Sequence, residues 1–201
     1  DLIELRVMSG GSIGNFTLTE RDLSILTLPD MIVATNDIIV VHINSPSATC
    51  NPGNAVNETM AKNQFPVSGN AKNYDLAWDF WSADTNLTST DNVFQIRDAL
   101  VTIQDAVLVA DNPDDVNAAA ASEAAAAVVA AANQWFTLAG MIPAGGYVDG
   151  VFRANAVQDL NGTATDALGT GLSIQRLNTD DNDMGDWTMA AQTWGALNLG
   201  Q

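Results

Sequence analysis

Apolar and polar residues alternate with a period of two through much of the first half of the chain, the pattern of half-buried strands. Leu2 to Val7 puts Ile3, Leu5 and Val7 on one face and Glu4 and Arg6 on the other. Ser9 to Ser12 reads as a turn, Asn15 to Thr19 alternates again, and Leu23 to Leu28 is β-prone up to Pro29-Asp30. Asp37 opens the strongest strand, Ile38 to Ile43, which is apolar on both faces as a strand between packed layers would be. Strand character returns at Val93 to Asp98, continues through Leu100 to Val109, and recurs at Ser173 to Leu177 and Trp187 to Ala190; Trp194 to Asn198 reads as extended.

Two stretches break the pattern. Residues 45–73 are rich in Asn, Ser, Pro and Gly with no sustained period, a long loop of the kind that carries function or lacks order. Residues 112–150 begin with Asn112-Pro113-Asp114-Asp115, which resembles a helix start. They continue through Ala118 to Ala132, nearly all Ala and Val, into a Gly/Pro loop from Gly140 to Gly150. Alanine has the best helix propensity, so a helix ending near Trp135 to Gly140 is expected. Short strands with one helix interpolated late fit a single all-β domain over residues 1–201, a β-sandwich carrying an Ala-rich helical insertion.

Charge changes the picture most. Twenty-four acidic residues against seven basic give a net charge of −17 over 201 residues. Such a surface repels phosphate backbones and anionic lipids, which argues against nucleic-acid binding. No apolar run reaches the roughly 20 residues of a membrane helix, so no membrane insertion is expected. An acidic coat suits an extracellular or surface setting. The chain starts at Asp1 rather than Met, so either a leader has been removed or the chain is an excised domain. Cys50 is the one cysteine, which excludes an intrachain disulfide.

Candidate chemistry is sparse. His42, the one histidine, shares a strand face with Ile38 and Val40 and reads as structural. Gly10 to Gly14 matches G-x-S-x-G, but a strand follows where a nucleophile elbow needs a helix. No nucleophile, base and orienter combine, so no enzyme is expected. Trp78, Phe80 and Trp81 cluster; packing is the plainer reading and sugar binding the sharper one. In the acidic turn Asn178 to Asp186, the carboxylates of Asp180, Asp181, Asp183 and Asp186 are candidate Ca²⁺ ligands, although the full EF-hand pattern and its closing Glu are missing. Four N-x-T sequons stand at Asn15, Asn57, Asn86 and Asn161.

The order of the pieces resembles the bacterial lamin-tail domain family. Asp1-Leu2-Ile3-Glu4-Leu5 is similar to its "E-F-I-E-L" strand, and Leu28-Pro29 with Asp37 to Val41 to its "L-P … D-Y-L-V-V" hairpin. Thr90 to Asp98 with Asp105-Ala106-Val107 resembles its central strand pair. Leu168 to Leu177, Asp186-Trp187 and Gly195 to Asn198 resemble its closing "S-l-q-R … a-D-W … p-G-a-x-N" signature. The resemblance implies an immunoglobulin-like β-sandwich in an exported or surface protein, often beside hydrolases, with no catalytic residues of its own. The family opens with a further strand ahead of the one at Glu4, and here the chain starts where that strand would end.

The expected role is therefore a non-catalytic, self-associating subunit of a surface filament or coat. Its contacts are expected at Leu2, Leu5 and Val7 on the first strand and at Ala126 and Ala130 on the Ala-rich helix, with no required cofactor. An accessory domain of a larger secreted hydrolase, or a lectin-like binder of glycan or of another extracellular protein, are the alternatives.

Overall fold

A computed structural model describes residues 2–43, 57–68, 73–84, 87–88, 91–110, 117–158 and 171–198. In chain order the elements are β1 (Leu2–Arg6), β2 (Gly11–Ser12), β3 (Thr17–Glu20), β4 (Leu23–Thr27), β5 (Ile32–Val33), β6 (Ile38–His42), β7 (Trp78–Trp81), β8 (Asn92–Arg97), β9 (Ile103–Ala110), α1 (Ala120–Ala131), α2 (Asp149–Ala154), β10 (Val157–Gln158), β11 (Leu172–Arg176), a 3₁₀ turn at Met184–Asp186, and β12 (Trp187–Ala191). Among the described residues 34% are strand and 13% helix, a β-rich fold. The chain divides into two compact units, one of Asp1–Leu18, Ser24–Leu87 and Thr193–Leu197, the other of Thr19–Leu23, Thr88–Gln192 and Asn198–Gln201.

The first unit is built on a three-stranded sheet in the order β1-β6-β7. β1 runs antiparallel to β6, with Leu2 opposite His42 and Arg6 opposite Ile38. All five side chains of β6 are buried, as its apolar pattern requires of a central strand. β7 lies parallel to β6, with Ile39 opposite Trp78 and His42 opposite Trp81. A parallel neighbour needs a long crossover, and the chain between β6 and β7 supplies it. Its described part, from Asn57 to Val67, is tied to β7 by hydrogen bonds rather than left loose. A short ribbon, β2 with β5, completes this unit.

In the second unit β8 and β9 pair antiparallel, β10 joins β9 in parallel, and β11 and β12 form a ribbon. The core gathers Val93, Leu108, Val129, Trp135, Tyr147 and Phe152, all fully or almost fully buried. The helix begins at Ala120, inside the expected span; Asn112 to Asp115 lie outside the described residues. Ser122, Ala125, Ala126, Val129 and Ala130 face the core at helical spacing. Asp91 supplies the missing N-terminal cap from a distance, its Oδ2 accepting the Ala119 N–H at 3.0 Å.

Several expected boundaries move. Leu100 and Val101 do not begin a strand. Asp98 Oδ1 accepts the N–H groups of Leu100 and Thr102 and folds the segment into a turn, leaving β9 to start at Ile103. The Gly/Pro loop ends in the short helix α2. Trp194 to Ala196 is a turn, closed by Ala196 N–H to Thr193 O, rather than an extended stretch. Cys50, Asn86 and Asn161 fall outside the described residues.

Candidate functional site: the β1 edge and the buried network beside it

β1 is paired with β6 on one side, and among the described residues no strand pairs with its other side. Its residues are half-buried throughout, so Leu2 and Leu5 are neither core nor free surface; Val7, just beyond the strand, is half-buried as well. The opposite margin of the sheet is closed. Glu58 N–H donates to Asp79 O at 3.0 Å and Trp81 N–H donates to Asn57 Oδ1 at 2.8 Å, so residues 57–58 cover the outer side of β7. Among the described residues the sheet therefore has one shut edge and one open one.

Polar side chains hold this arrangement from within. His42 Nε2 lies 2.6 Å from Asp79 Oδ1, and both residues are buried. Which of the two donates follows from the imidazole tautomer and the charge on the carboxyl. Trp81 stacks on the imidazole at 4.1 Å and 10°, and Tyr74 at 6.1 Å and 19°. Asp79 Oδ2 accepts the Tyr74 N–H at 2.7 Å. Burial pushes the Asp79 carboxyl above its ordinary value, against the pull of His42. Burial also raises the Tyr74 hydroxyl, with the charges of Asp79 and Glu4 adding to the effect.

Glu58 is fully buried and accepts the N–H of Phe65 at 2.9 Å and of Asp79 at 3.2 Å. Burial outweighs those two bonds and pushes it up to about 7. Glu4 on β1 also rises to about 7 through burial, although the Gly195 N–H donates to its Oε2 at 2.7 Å. Gly195 sits at φ +75, and a Cβ there would stand 2.7 Å from the Tyr74 Cβ, so the close approach requires glycine. Asp37 goes the other way. Burial opposes its charge, but Lys62 Nζ at 2.5 Å and Trp78 Nε1 at 2.9 Å hold it below the ordinary range.

The network is sealed from solvent. His42 has a carboxylate and two rings around it but sits only 3% exposed. Ser12 lies on β2, and no helix follows it. Of the three clustered aromatics, Phe80 is fully buried and Trp78 is spent on Asp37.

The acidic turn is closed on itself. Asp186 is buried and its carboxylate accepts the N–H groups of Asp181 and Asp183, while Asp183 Oδ1 accepts that of Gly185. Asp180 pairs with Arg176. The four carboxylates thus share a segment, but those of Asp183 and Asp186 serve as caps, that of Asp180 joins an ion pair, and Asp181 is exposed. Among the described residues no group of three or more His, Cys, Asp or Glu is arranged to hold a metal ion. Ala126 and Ala130 are buried in the core of their own unit, which removes them from the surface where a neighbour could meet them. The sequence pattern could not pick their face, because Ala and Val line the helix all round.

A family model described as a protein second domain matches residues 1–189. The chain belongs to that second-domain family. No curated protein and no solved structure matches it. The match to the second-domain family takes in the open β1 edge, the whole His42–Asp79 network and the acidic turn, and stops short of Gly195.

Proposed function

We propose that this chain is a non-catalytic interaction module, an immunoglobulin-like sandwich of the lamin-tail type in an extracellular or surface setting, that self-associates by strand addition at β1. The observation that carries the reading is the one-sided pairing of β1. An unpaired edge offers a row of N–H and C=O groups to another strand. Antiparallel pairing of two β1 strands centred on Leu5 would set Glu4 of each copy opposite Arg6 of the other, a self-complementary arrangement. The non-catalytic part rests on the burial of His42 and Asp79, which leaves no room for a substrate between them. This role requires no cofactor.

A second reading, an accessory module within a longer secreted protein, is favoured by the family's description as a second domain. Native mass measured against concentration separates the two. Self-association should appear as a rising mass, with β1 amides gaining protection from hydrogen exchange, and Arg6→Glu should lower it by setting like charges across the seam. A mass that stays monomeric at every accessible concentration, with β1 amides exchanging unchanged, overturns strand addition.

A further inference from the structure

The apolar tip at residues 138–142 is the least expected surface on the second unit. Leu138 is 66% exposed, Met141 63% and Ile142 41%, with Ala139 and Gly140 exposed between them. Five consecutive exposed apolar or glycine residues are unusual on a folded surface and mark a contact.

The tip is built rather than slack. Thr137 N–H donates to Met141 O at 2.9 Å, and Gly140 N–H to Thr137 O at 2.7 Å. Gly140 takes the positive φ of 70 that closes the turn. The base is anchored in the core. Trp135 is fully buried, its Nε1 donates to Asn155 O, and its carbonyl accepts the Tyr147 hydroxyl. Phe136 N–H donates to Asn182 O at 2.7 Å, which fixes the tip beside the acidic turn. The Leu138 side chain reaches within 3.1 Å of where a Cβ on Gly185 would stand. Asp181, in the same turn, is exposed.

We propose that this tip and its acidic border dock a cationic, amphipathic segment of another protein, with Leu138, Met141 and Ile142 as the apolar contacts. Charge selects the occupant. The exposed Asp181 carboxylate at the border, on a chain of net charge −17, favours a cationic segment and repels an anionic lipid surface. A segment alternating apolar and basic residues satisfies both halves of the surface. Because the tip is already ordered, little conformational entropy is lost on docking.

The test uses a synthetic Leu/Lys amphipathic peptide, titrated against the full chain and against Leu138→Ser/Met141→Ser, which alters no charge. A Ser/Lys peptide of the same charge measures the purely electrostatic background. The wild type should bind the Leu/Lys peptide at least about tenfold more tightly than the double variant, while the Ser/Lys peptide should bind both equally. Met141→Ser alone, at a largely exposed side chain, should show part of the loss with an unchanged melting temperature. Equal affinity of wild type and double variant for the Leu/Lys peptide overturns the proposal. So does binding of zwitterionic lipid vesicles, or self-association, that disappears in the double variant.

Discussion

Glu58→Gln tests the buried network through the pH dependence of stability. In the native chain the Glu58 carboxyl rises from 4.5 to about 7 because burial outweighs its two backbone hydrogen bonds. A folded-state value above the unfolded one means that the folded state binds the proton more tightly. The stability linked to that proton is present in full below the unfolded value and is lost as pH rises through the folded one. At about 1.4 kcal/mol per unit the shift sets a ceiling of roughly 3 kcal/mol, and relaxation of the surroundings around the ionised group brings the expected loss to about 1–3 kcal/mol. Glutamine removes the titration. It also turns one acceptor oxygen into an NH₂ facing the N–H of Phe65 or Asp79, which costs about 1–2 kcal/mol at every pH. The variant should therefore be less stable than wild type near pH 5, and the gap should narrow or close by about pH 8. Urea unfolding at constant ionic strength reads the gap directly. Glu4 moves in the same direction and leaves a residual slope in both proteins. A gap that stays constant across that range would show that Glu58 is ionised throughout and would refute the reasoning.

Other outcomes follow from the same geometry. Asp91→Ala should destabilise the second unit by about 3–5 kcal/mol in denaturant unfolding, because it removes the carboxylate that faces the buried Arg153 guanidinium at 2.8 Å and also removes the α1 cap. Asp91→Ala combined with Arg153→Met should recover part of that loss. Ala126→Glu should unfold the second unit rather than merely change association, since the charge enters a closed core; loss of the native near-ultraviolet signal is the readout. Melting temperature should be indifferent to Ca²⁺ and to chelator, because the Asp183 and Asp186 carboxylates already accept backbone N–H groups. A Ca²⁺-dependent rise that vanishes in Asp181→Ala would contradict this.

Legibility in the sequence followed the length scale of the signal. β6 could be read because a run of four apolar, β-branched side chains, Ile38 to Val41, suits a central strand buried on both faces, and the structure gives it. α1 could be read from alanine propensity, but its buried face could not, since one alanine is chemically like the next. β7 escaped notice because Trp78 to Trp81 looks like an aromatic cluster; its strand identity depends on β6 beside it and on Asn57 and Glu58 along its outer margin. The partners of His42 were hidden for the same reason. Nothing local links His42 to Asp79, which lies 37 residues on and meets it only through the parallel register of two strands. The acidic turn shows the converse. Its composition suggested ligands, whereas the carboxylates of Asp183 and Asp186 are taken up by backbone N–H groups that composition cannot reveal.

The Glu4–Gly195 bond has a consequence for how the molecule folds. It joins residues separated by 191 positions. Closing a loop of that length in a flexible chain costs on the order of 5 kcal/mol, several times the worth of one hydrogen bond. The bond therefore cannot nucleate anything and must form after the intervening residues have condensed and shortened the path. During synthesis Gly195 also emerges long after β1 and β6 can pair, so Glu4 lacks this contact for most of that interval. The strand pairing proposed for β1 can therefore begin before the Gly195 N–H reaches Glu4.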